Sequence, residues 1–193
     1  RRSGKRLLAV GTDCSVGKMY TALAVEQELS ARGAKTDFRA TGQTGIFIAG
    51  SGVSVDAVVS DFISGATEWL TPENDPDHWD IVEGQGSLFH PSYAGVTMGL
   101  VHGAQADALV LCHEPTRTHM RGLPHQALPD IATCIKGHLD AARLTNPNAQ
   151  CVGIAINTSG MDSDQARAGL LKDLSAKYEM PAVDPVLDGV GAI

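Results

Sequence analysis

The residues Gly11-Thr12-Asp13-Cys14-Ser15-Val16-Gly17-Lys18-Met19 carry the strongest chemical signal in the chain. Glycines at both ends let such a loop curl until successive N–H groups point inward at an anion. The helix expected to follow adds a partial positive charge at its N-terminus, and Lys18 supplies a mobile cation. This is the chemistry of phosphate binding. In the commonest loop of this kind the lysine is followed by Ser or Thr, whose hydroxyl ligates Mg²⁺. Here Met19 takes that place, and a thioether is a poor ligand for a hard cation. Thr21 cannot substitute, because two residues along a helix turn its side chain by about 200°. Either the metal is held differently or the bound phosphates are not cleaved. A loop without its magnesium ligand can still grip a diphosphate handle, such as that of coenzyme A, while the reaction occurs at the far end; no metal is then expected.

Other candidates follow at intervals. Glu83 precedes the turn Gly84-Gln85-Gly86-Ser87; it suits a general base, a metal ligand, or a carboxylate capping the next turn through backbone N–H groups. His90 is a second acid/base candidate, with a side chain that titrates near working pH. The segment Arg39-Ala40-Thr41-Gly42-Gln43-Thr44-Gly45 is too rich in glycine and polar residues for packing alone and is taken as a substrate loop. Arg39 would pair with a carboxylate or phosphate, or else form a surface ion pair; Gln43 and Gln85 are further substrate-binding candidates. Arg117 and Arg121 are anion-clamp candidates, and Asn157 could hydrogen-bond a purine edge or simply form a turn. Asp56 and Asp61 suit capping or solvation better than catalysis. His113, His119 and His125 recur every six residues, an interval that shares no helix face and argues against a metal site.

The elements that must hold these residues alternate. Short apolar runs at 7–10, 37–40, 80–82, 108–112, 152–156 and 182–183 predict buried strands, and helical patterns cover 18–31, 55–70, 131–143 and 162–178. The order β-α-β-α-β-loop-β-α-β-α-β predicts an α/β fold with a doubly wound, mostly parallel sheet, whose ligands bind beyond the carboxyl ends of the strands. The candidates above fall just there.

Length and composition bound the remainder. The chain has 193 residues, 43% of them hydrophobic and 19% charged, which suits one α/β domain over 7–193. No apolar run approaches the ~20 residues of a membrane span, and the opening is no signal peptide. Fifteen basic against twenty-two acidic residues give a net charge of −7. Residues 1–6 hold four of the basic ones, so they are expected to form a solvated tail or linker, and the acidic body is a poor partner for nucleic acid or membrane. Four dispersed cysteines, Cys14, Cys112, Cys134 and Cys151, suit reduced thiols and a cytoplasmic location. The chain opens at Arg1 without methionine and ends at Val190-Gly191-Ala192-Ile193, where a strand-turn-helix pattern would continue. A piece of a longer protein is expected.

The phosphate loop resembles that of dethiobiotin synthetase and the cobyrinic-acid amidation enzymes at Gly11, Thr12, Asp13, Val16, Gly17 and Lys18, departing at Cys14 and Met19. That resemblance implies a P-loop NTPase-like fold with Glu83 facing the loop. Taken together, the phosphate loop, the 39–45 segment, Glu83-Gly84-Gln85-Gly86-Ser87-Leu88-Phe89-His90-Pro91 and Leu111-Cys112-His113-Glu114 resemble the C-terminal P-loop domain of the D-glutamate N-acetyltransferases over essentially the whole chain. In that family a methionine after the P-loop lysine is usual. The resemblance implies acetyl transfer from acetyl-CoA to the amino group of D-glutamate, a preceding smaller α/β domain, and homodimers. Glu83 or His90 would then be the base, the backbone at 84–87 the oxyanion donors, and Arg39 or Arg117 the clamp on the acceptor's carboxylates. The competing expectations are an ATP- and magnesium-dependent ligase or kinase that uses Glu83 and Asp13 for the metal, and a nucleotide-binding module without catalysis.

Overall fold

The computed structural model describes residues 2–193. Six of its strands form one parallel sheet: β1 (Lys5–Gly11), β2 (Thr36–Arg39), β3 (Trp79–Val82), β4 (Ala108–His113), β7 (Gln150–Ile156) and β8 (Ala182–Val183). Their order is β2-β3-β1-β4-β7-β8, so the chain leaves β1 for one side of the sheet and later returns to build the other. Such a reversal opens a crevice at the strand ends. The strands β1, β4 and β7 carry runs of buried β-branched and aliphatic residues because both faces of the sheet are covered there. On one face Leu8, Val10, Leu109 and Leu111 join the core beneath α4 (Ala94–Ala104), α5 (Ile131–Arg143) and α6 (Asp164–Tyr178). On the other, Leu7, Ala9, Val110 and Cys112 pack with Val25 of α1 (Lys18–Ala31) and with Val190 near the chain's end.

The six expected strands all form. Helices α1 and α5 have the expected bounds, and α6 starts at Asp164 because Ser163 caps it, accepting from Ala166 N–H at 3.2 Å. Three expectations need correction. The segment 55–70 is helical only as α3 (Ile63–Leu70), preceded by two 3₁₀ turns, because Val58 and Val59 take extended backbone. The stretch between β3 and β4 is no loop; it contains α4, whose Gly95, Gly99 and Gly103 hide a helix from propensity reasoning. Two further elements were not foreseen, α2 (Gln43–Ala49) and a hairpin of β5 (His119–Met120) and β6 (Leu123–Ala127).

Of the basic opening, Arg1 lies outside the described residues, and Arg2 and Arg6 are likewise not part of a solvated tail. Arg6 lies within β1, fully buried, and its guanidinium donates to the carbonyls of Arg2 and Ser3 at 3.0 Å. Arg2 donates to the Gly103 and Ala104 carbonyls at the end of α4 and pairs with Glu68 at 3.0 Å. A cation there offsets the negative end of the helix dipole. The four cysteines are unbonded. Among the described residues no helix is long and apolar enough to cross a membrane.

Candidate functional site

Residues 11–17 connect β1 to α1, and Gly17, at φ 102°, turns the chain into the helix. The start of this loop is tied to the end of β4: Thr12 N–H donates to the Cys112 carbonyl at 3.0 Å, and Thr12 Oγ1 lies 2.9 Å from His113 Nδ1. No side chain caps α1 and no acidic residue occupies its first turn, so the N–H groups there remain open to an anion. Lys18 folds back under the loop, 6% exposed, and donates from Nζ to the Asp13 carbonyl at 2.9 Å. Burial pushes its ammonium below the usual lysine value, with smaller raising effects from Cys112, Cys14 and Asp13. A phosphate arriving beside it would oppose that shift and favour the charged form.

Asp13 is the fixed point of the loop. Its fully buried carboxylate accepts from Cys14 N–H at 2.7 Å on Oδ1, and on Oδ2 from the Arg117 guanidinium and from Arg121 N–H, both at 2.8 Å. Burial alone would raise this acid. The Arg117 hydrogen bond, the two amides and the Arg117 charge outweigh it and hold the group below its ordinary value. Arg117 also donates to the Cys14 carbonyl at 2.6 Å and pairs with Glu114 at 3.1 Å. It is therefore a brace behind the loop, and the clamp expected on a substrate is not available from it. The Cys14 thiol is raised, chiefly by burial and against the lowering pull of Lys18, Arg121 and Arg117. It is a thiol and not a thiolate nucleophile.

A cleft of about 850 Å³ opens over the loop, lined by Lys18, Met19, Glu83, Gln85, Arg121 and Asn157, with Tyr20, Tyr93 and Asp56 at its sides. Gly84 sets the depth of its floor: a side chain there would meet the Ala9 carbonyl at 1.7 Å, so only glycine lets the turn after β3 lie against β1. Glu83 is 3% exposed, and its Oε2 accepts from Thr41 N–H at 2.8 Å and Gly42 N–H at 3.0 Å, at the start of α2. The capping role is thus present. Both bonds fall on one oxygen, and the residue still faces the cleft. Gln85 lies beside it, donating weakly to Thr41 Oγ1 at 3.3 Å.

Three expected site residues are placed elsewhere. His90 is buried under the hairpin: Ser92 N–H donates to Nδ1 at 3.2 Å, which leaves Nε2–H to donate to the Arg121 carbonyl at 3.0 Å. With both nitrogens engaged it is a strut and not a free base. Arg39 pairs with Asp80 at 2.7 Å and Asp37 at 2.8 Å on neighbouring strands, outside the cleft. Gln43 is exposed at the start of α2 and is not among the cleft residues. In the other direction, Tyr20 and Tyr93 line the cleft without a motif that points to them, and Asp56, expected only to cap or be solvated, lies there too. The hairpin that delivers Arg121 did leave a trace, a Gly122 at φ 76° between Met120 and Leu123, which pair across the turn.

Two donors that the magnesium of a nucleotide-cleaving P-loop would use are not free. Met19 supplies no hydroxyl, and Asp13 has an arginine on its carboxylate. Although Asp13, Cys14 and His90 come within 4.8 Å of one another, the carboxylate and both imidazole nitrogens are already in use.

Comparison with known proteins extends this picture. A curated relative from Tritonibacter scottomollicae, "D-glutamate N-acetyltransferase", is 58% identical over all 193 residues, and the chain spans only 58% of its length. A crystal structure of a DUF1611 family protein from Anabaena variabilis matches 96% of the chain and 54% of its own, at 36% identity and a TM-score of 0.87. The cobyrinic acid a,c-diamide synthase of Mycobacterium smegmatis, solved with ADP and magnesium, aligns with 94% of the chain and 85% of its own, at 14% identity and a TM-score of 0.54. At that identity the likeness is one of fold, a P-loop NTPase-like α/β domain. The family model described as "Domain of unknown function (DUF1611_C) P-loop domain" matches residues 1–193, and the chain, with its phosphate loop, buried lysine and parallel sheet, belongs to the DUF1611 family as its P-loop domain.

Proposed function

We propose that this domain serves an N-acetyltransferase, which moves acetyl from acetyl-CoA to the amino group of D-glutamate, and that its P-loop holds a phosphate of coenzyme A. The acyl-transfer part rests on the similarity to the Tritonibacter protein. The observation that carries the role of the loop is its combination of an uncapped α1 N-terminus and a buried Lys18 with Met19 where a magnesium-binding hydroxyl would stand. Such a loop retains the means to bind phosphate and lacks a means to cleave it.

In the reaction the acceptor's ammonium first gives up a proton to a base. The free nitrogen then attacks the thioester carbonyl, an N–C bond forms, the C–S bond breaks, and the nitrogen gives up its second proton, which the departing coenzyme A thiolate takes up. Glu83 is the base on this reading: its Oε2 is occupied by two N–H groups while, among the described residues, no hydrogen bond engages Oε1. The residue range absent from this chain but present in its longer relative contributes the rest of the site, and a cytoplasmic homodimer with a preceding α/β domain fits the same reading.

The test is made on the full-length protein. Wild type and Lys18→Ala are titrated with acetyl-CoA in EDTA, and thiol release is followed with D-glutamate; ATP with Mg²⁺ is run in parallel. A charge-assisted hydrogen bond contributes about 1.5 to 3 kcal/mol, so Lys18→Ala should weaken acetyl-CoA binding roughly 10- to 150-fold while remaining folded. Unchanged affinity in the folded variant defeats the assignment of the loop. Release of nucleoside diphosphate in place of thiol would establish the ligase or kinase, and tight binding with neither product the non-catalytic module.

A further inference from the structure

Arg121 sits at the tip of the β5–β6 hairpin, exposed, on the wall of the cleft that faces the phosphate loop. Its backbone is fixed from both sides by buried side chains. The N–H donates to Asp13 Oδ2 at 2.8 Å, and the carbonyl accepts from His90 Nε2 at 3.0 Å; the two partners are 0% and 2% exposed. A two-residue turn of arginine and glycine on the surface has no packing need for such anchoring. The guanidinium itself enters no hydrogen bond or ion pair among the described residues, in contrast to Arg117, four residues earlier, whose guanidinium is spent on Asp13, Glu114 and the Cys14 carbonyl. Its charge nonetheless reaches Cys14 in the loop. An arginine with a locked backbone and an unspent guanidinium, beside a loop already suited to one anion, is arranged to receive a second one.

We infer that Arg121 is an anion-binding arm of the cleft, taking an oxyacid group of the bound ligands, phosphate or carboxylate, additional to the phosphate held by the loop. This rests on the acyl-transfer reading for the identity of the ligands and not for the existence of the arm. Two kinds of group meet the description: the second phosphate centre of coenzyme A and a carboxylate of D-glutamate. The anchoring bonds use only the backbone of residue 121, so Arg121→Gln removes the guanidinium and leaves the hairpin in place. An unchanged melting temperature checks this, and Arg121→Lys, which keeps the charge without the fork, should lose part of the effect.

The full-length wild type, Arg121→Gln and Arg121→Lys are titrated with coenzyme A, dephospho-coenzyme A and inorganic pyrophosphate, and KM is measured for D-glutamate and for acetyl-CoA. The expected result is a roughly 10- to 150-fold loss for Arg121→Gln in one arm. A loss with coenzyme A that disappears with dephospho-coenzyme A identifies the 3′-phosphate; a raised KM for D-glutamate at an unchanged KM for acetyl-CoA identifies the carboxylate. If wild type binds pyrophosphate but neither coenzyme A nor D-glutamate, the acyl-transfer reading fails, and the arm stands or falls on weaker pyrophosphate binding by Arg121→Gln. A folded Arg121→Gln protein that matches wild type with every probe overturns the inference.

Discussion

Glu83 holds Thr41 N–H and Gly42 N–H on a single carboxylate oxygen, and this separates its structural duty from the proposed chemical one. Glu83→Gln keeps an acceptor for both amides and removes the charge that would take a proton. Its kcat should fall roughly 10²- to 10⁴-fold with the KM for acetyl-CoA nearly unchanged, whereas Glu83→Ala should also lower the melting temperature. A near-normal rate for the Gln variant would move the base elsewhere. The capping duty was readable from a carboxylate at a strand end before a glycine turn. The fate of the arginines was not. Arg39 and Arg117 have the residue type of an anion clamp, but each is claimed by carboxylates, and the partner Asp80 becomes a neighbour only when β2 and β3 pair in the register that aligns it with Asp37. Residue type proposes a partner for a guanidinium, and only the tertiary pairing decides which one it takes.

The elements that were missed share a physical cause. Helix α4 carries three glycines, which cost up to ~1 kcal/mol each relative to alanine, yet two of them are what lets it pack on α3. A side chain at Gly103 would stand 2.3 Å from the Ser64 carbonyl and 2.6 Å from Thr67 Cβ, while one at Gly95 would meet nothing within 4 Å. Gly103→Ala should therefore destabilise the protein by about 1 to 3 kcal/mol, as overpacked sites do. Gly95→Ala should stabilise it by up to ~1 kcal/mol. Urea midpoints at an unchanged slope measure both, and equal shifts for the two variants would mean that the α3–α4 contact does not govern the glycines. The opening strand shows the converse case. Four basic residues in six suggest solvent, but the carbonyls of the turn at 2–4 and the end of α4 absorb the two cations, Arg6 and Arg2. Strands with plain apolar runs, and helices with an apolar period and a cap, needed no such information.

At the level of the whole molecule, acid stability should bear the mark of one imidazole. His138 is buried in α5 beneath Phe89, its Nδ1–H donating to the Cys134 carbonyl at 2.7 Å, and burial above all depresses it from 6.5 to about 4. The unfolded chain binds this proton below pH 6.5 and the folded one only near 4, so stability falls as pH drops through that window, by roughly 3 kcal/mol for a shift of this size. His113, also lowered by burial, adds in the same sense. Chemical denaturation from pH 7 to 4 should give a slope that is largely flattened in His138→Leu; an unaltered slope would assign the loss to other groups. The parallel sheet was legible as a whole because alternation of strand and helix admits few arrangements. Of the cleft above it, the P-loop, Glu83, Arg121 and Asn157 were legible as candidates, but the hairpin that places Arg121 opposite the loop was not, since it is set by two buried contacts from distant parts of the chain. Those contacts have an energetic meaning for any ligand. The backbone entropy of residue 121 is lost when the chain folds and not when an anion arrives, so only the side chain would still have to be ordered and more of a contact's free energy would appear as affinity.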